Sequence, residues 1–230
     1  MKGENCMANL KVTVAGVEFE NPLIAASGTF GFGKEYSEFY PLSALGGVSC
    51  KGITIKERPG NPPPRVTEAP GGMLNAVGLQ NPGVDHFIEY DLPWLSRQGT
   101  KIIANVAGNA PEDYCATVEK LNDTCVDMVE LNISCPNVKQ GGVQFGTTCE
   151  GVFGITSEVR KHCKKPLMVK LSPNVTDISE MAVAAESAGA DAVSMINTLT
   201  GMRIDIHTKR PILHNNTCLL YTSPSPRDRG

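Results

Sequence analysis

The sequence predicts an α/β fold: a (β/α)8 barrel of the TIM type, incomplete at about six of its eight strands, with an N-terminal hairpin. Three observations predict it. Short, nearly continuous apolar runs alternate with helical patterns, as parallel strands buried on both faces require. Six of these runs lead into small, polar or charged residues, among them Ser27, Lys51, Asn109, Cys135, Ser172 and Asn197, the kind that carries chemistry at barrel strand ends. The length, 230 residues, allows one sizeable core and lies somewhat below the roughly 250 residues of a complete barrel.

Residues 10–14 and 17–19, joined by Ala15-Gly16, read as a hairpin that plugs one barrel end. The six barrel runs are 23–26, 46–50, 101–106, 128–133, 167–171 and 192–196. Three helices lie between the later runs. Residues 111–122 open on Pro-Glu-Asp, which suits a first helical turn, and 152–163 and 177–188 follow, the last closed by Gly189. Two long insertions, 53–95 and 138–150, are rich in Gly or Pro and read as structureless functional loops. The segment 218–230 has no helix or strand period and carries Pro224 and Pro226. It reads as a tail foreign to a domain spanning 7–217.

Composition excludes several function classes. Lys and Arg total 21 against 24 Asp and Glu, a formal charge of -3, which points away from nucleic acid and anionic membranes. No apolar run reaches the ~18 residues of a membrane span, and the first residues lack a signal-peptide core, so a cytoplasmic setting is expected. The eight cysteines include no Cys-x-x-Cys and no zinc spacing with histidine, so no metal is expected and the thiols are read as free.

The stretch Glu130-Leu-Asn-Ile-Ser-Cys-Pro-Asn137 is the most informative. A buried strand ends in one thiol, Cys135, between two side-chain amides, Asn132 and Asn137. That grouping suits proton transfer on a cyclic amide. Simple packing of a small hydrophobe explains Cys135 equally well at this point.

Further motifs run in order along residues 10 to about 217: Ala26-Ser-Gly-Thr-Phe-Gly31, Lys51-Gly52, Asn61-Pro-Pro-Pro-Arg65, Asn75-Ala-Val-Gly-Leu-Gln-Asn-Pro82 and Asn105-Val-Ala-Gly108. Val169-Lys-Leu-Ser-Pro173, Ile196-Asn-Thr198 and Gly201-Met-Arg203 complete the set. Together with the cysteine stretch they resemble class 1 dihydroorotate dehydrogenase, most closely the NAD-linked class 1B catalytic subunit. The membrane-associated class of that family uses Ser at the position of Cys135.

The resemblance implies an FMN-dependent oxidation of (S)-dihydroorotate to orotate in pyrimidine biosynthesis. Cys135 would be the general base for the C5 proton, with hydride leaving C6 for flavin N5. Lys51 would face both flavin and the substrate carboxylate. Asn75, Asn132, Asn137 and Asn197 would hold the pyrimidine ring, with Thr198 beside them and Ala76, Val77, Gly78 and Leu79 offering backbone groups. Ser27, Gly28, Gly52, Asn105, Asn132 and Ile196 would contact FMN. Lys170, inside an apolar strand, would stabilise the reduced ring; a structural salt bridge is its bland alternative. A partner subunit carrying FAD and [2Fe–2S] would pass electrons to NAD, and the catalytic chain would be a homodimer.

Other readings stay open: a fumarate-using class 1A enzyme, a dihydropyrimidine dehydrogenase-like flavoprotein, or an inactive fragment. The last follows from the family's phosphate-binding loops after strands seven and eight, which have no counterpart before 217.

Overall fold

The computed structural model describes residues 8–70, 72–134, 145–215 and 218–221. The strands, in chain order, are β1 (Val12–Val14), β2 (Val17–Phe19), β3 (Ile24–Ala25), β4 (Gly47–Ser49), β5 (Val66–Ala69), β6 (Gly72–Asn75), β7 (Lys101–Val106), β8 (Met128–Asn132), β9 (Leu167–Lys170) and β10 (Ala192–Ser194). Then come β11 (Leu199–Gly201), β12 (Ile204–Asp205), β13 (Arg210–Pro211) and β14 (Cys218–Tyr221). Six of them form a parallel sheet in the order β10-β9-β8-β7-β4-β3. These are the six barrel runs of the sequence, and they curl into a partial barrel.

The period of two along each strand sorts the side chains into two faces. Ile102, Ala104 and Val106 of β7, Val129 and Leu131 of β8, and Leu167 and Val169 of β9 face outward and pack on the helices. Those helices are α3 (Pro111–Asn122), α4 (Cys149–His162) and α5 (Ile178–Ser187), contributing Val118, Leu121, Val152, Ile155, Val159, Met181 and Ala185 to the same core.

The alternate residues face inward, in layers. Ile103, Met128 and Met168 form an apolar floor with Ala192, and Phe19 of the β1–β2 hairpin seals it. The expected plug is therefore present. Ser49, Asn105, Glu130 and Ser194 make a polar layer above it, joined by hydrogen bonds to the Glu130 carboxylate. Asn132 and Lys170, register partners at the strand ends, lie at the mouth.

Helix ends follow local chemistry. Asp113 Oδ2 accepts the N–H groups of Asn109 (3.0 Å) and Ala110 (3.3 Å), which puts a carboxylate on the positive end of α3. Thr148 caps α4, its Oγ1 accepting Gly151 N–H at 3.1 Å, so α4 starts at Cys149 rather than at 152 as the apolar pattern suggests. Asp177 caps α5, and the amide hydrogen bond from Ser179 holds its carboxyl below the usual carboxylate range.

The insertion 53–95 is not structureless, contrary to expectation. β5 and β6 pair as an antiparallel hairpin, and β14 and β11 extend it to a sheet of order β11-β14-β6-β5. Residues 218–221, placed in the tail by the sequence reading, thus lie between β6 and β11 as a strand, with Cys218 buried against Leu74, Ala76 and Leu213. The second half of the insertion is helical: α1 (Val84–His86), a π-helical turn (Phe87–Asp91) and α2 (Leu92–Leu95), burying Val84, Phe87, Leu92 and Leu95. The one-residue slip of the π turn and Pro93 break the 3.6-residue period that would have announced this helix. In the second insertion, 138–144 lies outside the described residues, 145–148 is a turn, and the remainder belongs to α4.

Candidate active site

Three strands deliver side-chain amides to one end of the barrel. Asn105, fully buried near the end of β7, donates from Nδ2 to Glu130 Oε2 at 2.5 Å. Asn132, the last residue of β8, donates from Nδ2 to Asn105 Oδ1 at 3.4 Å. Asn197, just beyond β10, donates from Nδ2 to Asn132 Oδ1 at 2.9 Å, while its own N–H is held by Leu171 O at 2.9 Å. Tyr114 of α3 donates its hydroxyl to Asn132 O at 3.0 Å, which braces the end of β8 from outside.

Lys170 ends β9 as the register partner of both Asn132 and Ser194. It is half-buried rather than enclosed within the strand, and Nζ lies 3.3 Å from Ser27 Oγ across the mouth. Among the described residues its side-chain contact is this one to Ser27 rather than an ion pair. Ser27 is buried and Gly28 exposed, both in the turn after β3.

Lys51 follows β4, its N–H donating to Gly31 O at 2.8 Å. Lys51 and Val77 line a cleft of about 460 Å³ with Phe32, Arg58, Asn81 and Asp91. Gly52 joins this cleft to the amide row. A Cβ there would stand 2.9 Å from both Asn105 Oδ1 and Leu79 Cδ1. Gly52→Ala is therefore expected to displace the Asn105 amide and turn the Leu79 side chain away. The cost is about 1–3 kcal/mol of stability, read as a lower urea midpoint with an unchanged slope.

The 75–82 loop runs from the end of β6. Asn75 and Ala76 are buried, and Val77, Gly78 and Leu79 half-buried. Asn75 Oδ1 accepts Val77 N–H at 3.3 Å, but Asn75 Nδ2 is buried without a hydrogen-bond partner among the described residues. Ser134 Oγ, beside the cysteine position, is in the same state. A buried polar group left without a partner is costly unless a ligand completes it. Asn81 closes the loop; its Oδ1 accepts from Thr54 N and Gly83 N, and its Nδ2 donates to Leu79 O and Thr54 Oγ1.

Thr198 and Ile196 flank Asn197. Thr198 is half-buried, with its N–H on Asn197 Oδ1 at 2.7 Å, and Ile196 is exposed. Cys135 and Asn137 lie outside the described residues. Cys50, next to Lys51, is a different kind of thiol: burial, then the carboxylates of Asp91 and Glu130, push it far above the ordinary range, so it stays protonated and inert.

Sequence reasoning missed Glu130, Ser49, Ser194, Asn81 and Tyr114 as parts of the site. Two of them carried a signal: Glu130, as a charged residue inside an apolar strand, and Asn81, as part of the 75–82 motif. Elsewhere, Cys115, Glu158 and His162 bring ligand-type atoms within 4.8 Å of one another on α3 and α4, and this candidate cation site is empty. Its groups are already engaged: His162 Nδ1 meets Glu119 at 2.6 Å and Lys161 holds Glu158 at 2.6 Å.

A family model described as dihydroorotate dehydrogenase matches residues 9–220. A relative from Petrotoga mobilis, named dihydroorotate dehydrogenase B (NAD(+)), catalytic subunit, is 56% identical over 211 residues, 92% of this chain and 70% of its own length. One of the same name from Alkaliphilus metalliredigens is 58% identical over 207 residues, 90% of this chain and 68% of its own. The crystal structure of DHODH in complex with ferulenol from Eimeria tenella superposes with a TM-score of 0.70 at 21% identity. It covers 94% of this chain and 66% of that one.

Proposed function

The chain belongs to the dihydroorotate dehydrogenase family, and on that premise we propose that its site serves the oxidation of (S)-dihydroorotate to orotate in pyrimidine biosynthesis. The observation that carries this reading is the convergence of Asn105, Asn132, Asn197 and Lys170 on one barrel mouth.

The residues fit a bound flavin. Lys170 Nζ and Ser27 Oγ, together with Gly28, Gly52, Asn105, Asn132, Lys51 and Ile196, would hold FMN. The half-buried ammonium of Lys170 suits an electron-rich ring, and the missing side chain of Gly52 permits close approach. When bound, FMN supplies a two-electron acceptor for the hydride.

The chain's own residues do the rest. Asn75, Asn132, Asn137 and Asn197 orient the ring by its amide edges, Thr198 lies beside them, and Ala76, Val77, Gly78 and Leu79 close over it. Lys51 pairs with the substrate carboxylate. Cys135 takes the C5 proton as a thiolate. FAD and [2Fe–2S] belong to a partner electron-transfer subunit that passes electrons to NAD, in line with the catalytic-subunit name of the relatives. A homodimer and a cytoplasmic setting complete the reading. Among the described residues no helix is long and apolar enough to cross a membrane.

The test is a visible absorption spectrum of the purified chain with FMN, before and after anaerobic dihydroorotate. Bleaching of the flavin band is expected with dihydroorotate and not with dihydrouracil. A chain that takes up no flavin, or bleaches equally with dihydrouracil, would refute the proposal.

A further inference from the structure

The barrel interior holds a carboxylate that the proposed chemistry does not use. Glu130 is 3% exposed. Its Oε2 accepts from Ser49 Oγ at 2.6 Å and from Asn105 Nδ2 at 2.5 Å, and its Oε1 from Ser194 Oγ at 2.8 Å. A carboxylate accepts hydrogen bonds and donates none, whereas a side-chain amide has one donating and one accepting end.

Asn105 therefore fits only one way round, with its NH2 on Glu130 and its Oδ1 turned away. That Oδ1 accepts from Asn132 Nδ2 at 3.4 Å. Asn132 then presents Oδ1 to Asn197 Nδ2 at 2.9 Å, and Asn197 presents Oδ1 to the N–H of Thr198 at 2.7 Å. Each amide is turned by the one before it. A row of amides alone reads equally well in either direction; a carboxylate at one end and a backbone N–H at the other remove that freedom.

We propose that Glu130 is a positioning residue that acts through Asn105 to set the donor–acceptor direction of the row Asn105–Asn132–Asn197. The identity of the ligand facing the row rests on the proposed function; the direction of the row does not. In this direction Asn132 Oδ1 is already taken by Asn197 and by Ser134 N–H at 3.4 Å. Asn132 and Asn197 each keep a second N–H, so the row offers donors to the carbonyl oxygens of a planar ring.

Two substitutions separate direction-setting from space-filling. Glu130→Gln keeps an oxygen for Ser49 and Asn105 and turns its NH2 to Ser194, whose hydroxyl can accept. Glu130→Met fills similar space with no acceptor. It leaves Ser49, Asn105 and Ser194 without their acceptor and so costs stability in any case; the readouts are therefore ones that a loss of stability alone does not move. The readouts are the asparagine side-chain amide NMR signals of the ligand-free chain and the Kd for orotate.

In Glu130→Gln the Asn132 and Asn197 signals are expected at wild-type positions, with Kd within about threefold. In Glu130→Met both signals should move, although neither residue touches Glu130, and Kd should rise about tenfold. Wild-type signals in Glu130→Met, or equal disturbance in both variants, would overturn the proposal. If Glu130→Met does not fold, amide contacts in the wild type decide: an Asn132 NH2 lying against Asn197 rather than Asn105 also overturns it. A wild-type chain with the stated amide directions that binds no orotate would defeat the functional reading and leave the role of Glu130 standing.

Discussion

Cys135→Ser is expected to slow flavin reduction by dihydroorotate at pH 7 by about two to four orders of magnitude while leaving flavin binding intact. A free thiol titrates near ~8.5, close enough to neutrality that modest tuning supplies thiolate. An alcohol holds its proton far more tightly, so the serine chain has almost no base at pH 7. Its rate should climb with rising pH over a range where the cysteine chain has levelled off. Anaerobic stopped-flow measurement of the half-reaction checks this. Equal rates for the two chains across pH would remove Cys135 as the base.

The second large effect concerns stability. Gly46→Ala is expected to cost about 3 kcal/mol, because the new Cβ would stand 1.9 Å from the carbonyl oxygen of Asn21 and 2.9 Å from its carbon. Both atoms are main chain, so no rotamer change relieves the clash. Asn21 is also the staple of this corner. Its Oδ1 accepts the N–H of Leu23 and of Gly46, both at 3.0 Å, and its Nδ2 donates to Ala44 O at 3.1 Å. Gly46 O in turn accepts Lys101 N–H at 3.1 Å at the start of β7. Moving Asn21 thus loosens the joint between β3, β4 and β7. For a chain of this size the melting temperature should fall by roughly 6–12 °C. Gly154→Ala is the control: its Cβ meets nothing within 4 Å on α4, and the gain in helix propensity should leave stability unchanged or higher by up to about 1 kcal/mol. Equal melting temperatures for Gly46→Ala and wild type would show that the corner yields without strain.

Where periodicity is strong and local, the sequence is easy to read. The six barrel strands and α3 fall where their apolar patterns place them, because each needs only its own residues to declare which face is buried. The β5–β6 hairpin is different. Its outer edge pairs with β14, whose Leu219 lies opposite Asn75, and no local pattern reports a partner that far along the chain. The helix from Val84 to Leu95 was hidden by its π turn and Pro93.

The site divides in the same way. Asn105, Asn132, Asn197, Lys51 and Lys170 stand at strand ends, which motif and strand length together disclose. The layer of Ser49, Glu130 and Ser194 depends on the stagger between strands: Asn105 lies opposite Glu130, and Ser194 opposite Lys170. Stagger is a property of the strands paired together, so no single run encodes it.

The four-bonded amide of Asn81 has a kinetic consequence. Both acceptor sites and both donors are used, on Thr54, Leu79 and Gly83, so the C-terminal end of the 75–82 loop is ordered before any ligand arrives. Ordering a residue's backbone costs about 1–2 kcal/mol of conformational entropy. Here that cost falls on folding rather than on capture of the ligand. The other end is held as well: Asn75 pairs with Val66 and Leu219, Ala76 N–H donates to Arg65 O at 2.7 Å, and Val77 O accepts Asn61 N–H at 2.9 Å, so a ring meets a loop fixed at both ends, without a search through the conformations of a free loop.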